Sequence, residues 1–157
     1  PVGSPLSIEG GIHEGSLSIY QDTYLTDDLV IEGGLNLYPF SLQLNGHQLT
    51  INGDIHLYGD RACLIVDGIL RTTGMLEAHD SCIEIRDGEW IHENELTLQA
   101  YPVTIRMTDD HAVFQVDQDI VITSDFERDK LRLCNILAKS RGGDVLHKHG
   151  TDSLIPA

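Results

Sequence analysis

Apolar and polar residues alternate along this chain in very short runs. In "LNGHQLTINGDIHLYGDRACLIVDG", residues 44–68, an apolar stretch of three to five positions is followed each time by Gly, Asn or Asp. Alternation of this kind marks strands with one face turned inward. The turn residues supply the left-handed or bulged backbone of a corner. Strands this short cannot bury much individually, so their order along the chain decides the fold.

The corners recur. Gly46, Gly68 and Gly88 lie 22 and 20 positions apart; Gly53, Gly74 and Asn94 lie 21 and 20 apart; Gly59 and Asp80 lie 21 apart. The apolar runs fall into three matching series: "LQL" at 42 with "CLIV" at 63 and "CIEI" at 82; "LTI" at 49 with "ILR" at 69 and "EWI" at 89; "IHL" at 55 with "MLE" at 75 and "LTL" at 96. Three strands and three corners per period describe one triangular turn of a β-solenoid. One turn cannot bury its own apolar face, so several must stack. The sequence therefore predicts an all-β fold, a right-handed parallel β-helix of about five coils of about 20–22 residues. Leu44, Leu64 and Ile83 are expected to stack as one inner ladder. A left-handed hexapeptide helix would need a stricter, shorter period. A β-sandwich has similar short strands but does not explain one period shared by three series.

The expected organisation is a tail or imperfect first coil over 1–15, the solenoid over 16–125, and a cap and tail over 126–157. The open end of a solenoid exposes core and strand edges. A short helix or irregular cap is expected within "SDFERDKLRLCNILAKSRG", 124–142, where Ser124 could serve as N-cap; "KLRLCNI" also reads as a final strand. The chain opens on Pro, which suggests a processing site or an artificial boundary. No positively charged segment leads into an apolar stretch, so no signal peptide is read.

Three segments carry a resemblance. "YLTDDLVIEGGLNL", "LQLNGHQLTINGDIHL" and "TIRMTDDHAVFQVDQDIVI" resemble β-solenoid repeat regions of large bacterial surface or secreted proteins, including polymorphic-toxin-like and adhesin-like ones. The likeness spans about residues 24–123. It implies a scaffold, stalk or adhesive segment beside neighbouring domains of a parent protein, secreted or at the cell surface. It brings no catalytic residues. "HKHG" and the C-terminal cysteine have no counterpart in it.

Composition narrows the partners. The net charge is −15, which repels phosphate backbones and anionic membranes. No apolar run approaches the roughly 20 residues of a membrane span. Nucleic acid and membrane insertion are therefore not expected; polysaccharide or a host or cell-surface protein is. Cys63, Cys82 and Cys134 show no Cys-x-x-Cys spacing and are expected as buried small hydrophobes. That usage leans toward a reducing compartment, against the outward lean of the resemblance.

Candidate chemistry is sparse, and no cofactor is expected. His147 and His149 are two apart and would share one side of a strand, with Asp144 or Asp152 as a further metal ligand. The corners "TDD" at 26–28 and at 108–110, the latter with Asp109 and Asp110, offer oxygens to calcium without matching a known loop. If the chain were an enzyme acting on polysaccharide, Glu77, Glu84 and Asp87 are the carboxylates to consider, with Thr97 in phase with Glu77. Of the aromatics Tyr20, Tyr24, Tyr38, Tyr58, Trp90 and Tyr101, a sugar-stacking surface would use Tyr58, Trp90 and Tyr101. Three function classes remain: a non-catalytic scaffold or adhesive module, a carbohydrate-active β-helix, and a filament subunit that grows by stacking its ends.

Overall fold

The computed structural model describes residues 6–79, 81–100, 103–108, 112–118, 120–122, 131–134, 146–149 and 153–156. The chain coils through three faces in rotation, laying one strand of three to five residues on each. Face 1 is built from Leu6–Ile8, Thr23–Leu25, Ser41–Gln43, Cys63–Val66, Ser81–Ile85, Val103–Met107 and Leu131–Cys134. Face 2 holds Gly11–His13, Leu29–Ile31, Gln48–Ile51, Ile69–Thr72, Glu89–His92 and Val113–Val116. Face 3 holds Leu17–Ile19, Leu35–Leu37, Ile55–Tyr58, Leu76–His79, Leu96–Ala100 and Ile120–Ile122. Each strand pairs in parallel with its counterpart one coil away. The fold is thus the expected parallel β-solenoid of about five turns, and no helix occurs among the described residues.

Alternation then makes the core. Leu42, Leu64, Ile83 and Ile105 form one inner column. Leu29, Leu49, Leu70, Trp90 and Phe114 form another. Leu35, Ile55, Leu76 and Leu98 form a third. All are buried, and each such side chain contributes about 1.5–3 kcal/mol of transfer free energy. The expected ladder needs correction by two positions: Leu42 stands beside Leu64, and Leu44 joins the column of Val66 and Ile85. Likewise Leu76, not Met75, aligns with Ile55. The register shifts because the coils differ in length, and the difference is taken up in the corners. The step from Gly11 to its partner Leu29 is short. Those from Glu89 to Val113 and from Val103 to Leu131 are progressively longer.

Polar corner residues tie coil to coil. The Asp22 carboxylate accepts the Ser41 N–H at 2.9 Å, Asp28 accepts Gln48 N–H at 2.8 Å, and Asp54 accepts Met75 N–H at 2.9 Å. Thr26 and Thr73 hydroxyls donate to the carbonyls of Ile8 and Asn52 in the preceding coil. Part of the acidic character is therefore backbone capping. One corner is a glycine column: Gly33 N–H donates to Gly15 C=O and Gly53 N–H to Gly33 C=O, both at 2.9 Å.

Cys63 and Cys82 depart from expectation. With Leu64 and Ile83 inward, their neighbours Cys63 and Cys82 face outward, directly opposed and half-buried. They form a disulfide with a Cα–Cα separation of 4.6 Å. Closing a loop across a sequence separation of 19 stabilises the fold by about 3 kcal/mol on the chain-entropy account.

At the C-terminal end, Leu131–Cys134 continues face 1. Leu146–His149 pairs antiparallel with Ser153–Pro156, and the latter lies against Ile120–Ile122. Most of 124–142, where a capping helix is expected, lies outside the described residues.

The glycine column generates a test. A Cβ on Gly53 would sit 2.6 Å from the backbone of Gly33 and Gly34, closer than carbon atoms approach. Gly53→Ala should cost about 1–3 kcal/mol, the range of overpacking, read as a lower urea midpoint. An unchanged midpoint would show that the coils do not close this tightly.

Candidate functional site

Face 3 carries the most ordered outer surface. Its strands end in step, so Tyr20, Tyr38, Tyr58 and His79 stack in successive coils. The ring centroids of Tyr20 and Tyr38 are 4.6 Å apart, those of Tyr38 and Tyr58 5.0 Å, and those of Tyr58 and His79 5.6 Å, all near parallel. Beside this column runs a polar one, Ser18, Asn36, His56 and Glu77. Asn36 donates to Ser18 at 3.3 Å, and His79 Nε2 lies 3.0 Å from Glu77 Oε2. The phenol of Tyr38 is held above its usual pKa, first by its hydrogen bond with Tyr20 and then by the neighbouring phenols.

Stacking on one another has a chemical consequence. Sugars bind aromatic rings through the ring face, and in this column Tyr38 and Tyr58 have rings against both faces. Edges and hydroxyls are what they present. Tyr20, at the end of the stack and 64% exposed, keeps an open face. Trp90 must be removed from any outer surface. It occupies the inward position of face 2, fully buried and stacked on Phe114 at 4.3 Å. The strand parity of "EWIH" turns Trp90 in line with Leu70. Tyr24 is half-buried on face 1. Tyr101 lies outside the described residues.

The candidate carboxylates do not converge. Glu77 leaves face 3 and is paired with His79; the register sets Gln99 opposite it, so Thr97 is two positions away. Glu84 leaves face 1, where Arg86 reaches Oε2 at 2.5 Å and Arg106 reaches Oε1 at 3.6 Å. Both of its oxygens are thus engaged by guanidinium groups. Asp87 sits exposed in the following corner with a φ of 49°.

Two candidate metal corners can be compared. Asp27, Asp28 and His47 bring three ligand atoms within 4.8 Å of one another. Structural bonds already use this corner: Asp27 Oδ1 accepts Asp28 N–H and Asp28 Oδ1 accepts Gln48 N–H, both at 2.8 Å. "TDD" at 26–28 is visible in the sequence; His47 becomes its neighbour only through the coil. Asp109, Asp110, Asp144 and Asp152 lie outside the described residues. The backbone of His147 pairs with Ile155 and that of His149 with Ser153.

One buried polar network has no sequence motif. Trp90 Nε1–H donates to Thr72 Oγ1 at 2.9 Å, Thr72 Oγ1 lies 2.7 Å from His92 Nδ1, and His92 Nε2 lies 3.0 Å from the Glu95 carbonyl. One proton arrangement satisfies all four groups: Thr72 donates to Nδ1, and a neutral imidazole donates from Nε2 to Glu95. Burial lowers the His92 pKa, partly opposed by the Glu95 carbonyl and by Asp117 and Glu93. The network fixes side chains of two adjacent coils and has no access to a substrate.

Compared with known proteins, the chain matches no family model, no curated protein and no solved structure.

The His92 network sets a pH dependence. An imidazole whose folded pKa is depressed contributes stability that is complete above about pH 6.5 and is lost as the pH falls through that value. The drop in melting temperature between pH 7.5 and 5.5 should therefore be smaller in His92→Gln than in the parent. Thr72→Val should cost about 1–3 kcal/mol at neutral pH, because it strands the indole N–H and Nδ1. Equal acid sensitivity in His92→Gln would assign the effect to other histidines.

Proposed function

We propose that the chain is a non-catalytic β-solenoid scaffold or adhesive module of a larger bacterial surface or secreted protein, of the adhesin-like or polymorphic-toxin-like kind. It spaces and displays neighbouring domains, and any contact with polysaccharide or a cell-surface protein is made through its outer faces. The observation that carries this reading is the state of the outward polar groups. Glu77 is matched by His79 and Glu84 by two arginines, on different faces, so neither supplies an acid or base for a shared groove. A rod of coils about 4.8 Å apart is suited to hold ends at a set distance. The outward disulfide supports an oxidising compartment, since such bonds are rare in the cytosol. It weighs against the reducing compartment suggested by the bare cysteine count.

The experiment is incubation of the purified chain with a panel of acidic and neutral polysaccharides, scoring retention and newly formed reducing or unsaturated ends. No product should form on any substrate. Retention, where it occurs, should fall in Tyr20→Ala, which removes the open ring face, and persist in Glu77→Gln. Product formation abolished by Glu77→Gln or Glu84→Gln would overturn the reading in favour of a carbohydrate-active enzyme.

A further inference from the structure

One outward corner is not matched in the way the faces are. Where face 1 turns into face 2, one coil presents Asp27 and Asp28, and the next presents His47. Each offers one ligand atom, and the three atoms lie within 4.8 Å of one another. Among the described residues no other three His, Cys, Asp or Glu side chains converge so closely.

The carboxylates are oriented without being used up. Asp27 Oδ1 accepts Asp28 N–H and Asp28 Oδ1 accepts Gln48 N–H, both at 2.8 Å. Each bond engages one carboxylate oxygen and leaves the second. Hydrogen bonds of this kind hold the carboxylate ligands of metal centres in place. His47 follows the turn at Asn45 and Gly46, where φ is 56° and 84°. Its N–H donates back to Leu44 C=O at 3.1 Å, and the turn sets Nδ1 3.8 Å from Asp28 Oδ1. Among the described residues the His47 ring makes no hydrogen bond, and no lysine or arginine pairs with Asp27 or Asp28. By contrast His79 is matched with Glu77, and Glu84 with two arginines.

The adjoining coils leave this corner open. Glycine stands on both sides of it. A Cβ on Gly10 would lie 2.7 Å from Asp27 Cβ, and one on Gly68 would run into the His47 backbone. Neither position therefore carries a side chain over the cluster. Asp27 and Asp28 are exposed and His47 is half-buried.

We propose that Asp27, Asp28 and His47 form a binding site for a divalent first-row transition ion of the zinc type, with water in the remaining positions. The donor set selects the class. Two carboxylate oxygens and one imidazole nitrogen suit zinc. Calcium asks for six to eight oxygens, and this corner supplies an imidazole instead. The calcium expected at "TDD" 26–28 gives way to a transition ion once His47 is placed beside it. Ligands held at about 2.0–2.2 Å from one zinc ion lie at most about twice that distance apart, so the cluster is already near the dimensions of an occupied site. The net charge of −15 draws cations toward the surface. The ion links two coils from outside the core, as Cys63 and Cys82 link two later ones. Binding to the folded form alone raises its stability.

Calorimetric titration of the untagged chain, freed of metal by a chelator and dialysis, with zinc chloride alone tests the site. The parent should take up one equivalent more than His47→Ala or Asp27→Asn. Asp27→Asn keeps the Oδ1 acceptor for Asp28 N–H, so it decides if circular dichroism shows that His47→Ala fails to fold. Zinc should raise the melting temperature of the parent more than that of either folded variant. A tenfold excess of calcium over zinc should leave the extra equivalent in place. No uptake by the parent, uptake by Asp27→Asn equal to that of the parent, or displacement of the extra equivalent by calcium would each overturn the proposal.

Discussion

Parallel strands in adjacent coils must stay about 4.8 Å apart, and every other feature of this chain accommodates that spacing. A residue on the solenoid meets its counterpart one coil above and one below, so its chemistry has to be compatible with two near neighbours of the same phase. Inward positions meet the requirement with aliphatic columns such as Leu42, Leu64, Ile83 and Ile105. Corners meet it by losing the side chain, as in the glycine column, or by turning an Asp carboxylate onto the backbone N–H of the next coil. Outward positions meet it with groups that interact favourably when stacked: phenol on phenol, imidazole on phenol, thiol with thiol.

This constraint explains why the outer surface is ordered although its candidate residues do not converge. Side chains that satisfy each other along the axis have little capacity left for a ligand. Glu84 between two guanidinium groups and the Tyr38 ring between two phenols are examples. Leu6 and Tyr20, on the first described coil, are exposed.

The period of turn residues was enough to read the architecture, since Gly53 and Gly74 mark the same corner and the three apolar series mark the three faces. Register was less legible. The coils vary in length: the step from Leu42 to Leu64 is longer than that from Leu64 to Ile83, and that from Val103 to Leu131 is longer still. A fixed period therefore misplaces Leu44 by two positions and sets Glu77 against Thr97 instead of Gln99. Parity was the second weakness. In "EWIH" apolar and polar residues do not alternate cleanly, and Trp90 proved to be core. Contacts between coils leave a signal in the sequence. "CLIV" and "CIEI" already align Cys63 with Cys82, and a separation of one coil is the mark of direct neighbours. Thr72 with His92 is the same case, while Asp28 with His47 needed the turn geometry as well.

The most direct measurement of the coil register is the cysteine connectivity of the native protein, by peptide mass mapping without reduction and with thiols blocked at harvest. One linked peptide joining Cys63 to Cys82 is expected. A link from Cys134 to either of the others, or all three cysteines alkylated after oxidative folding, would contradict the stacking of these coils.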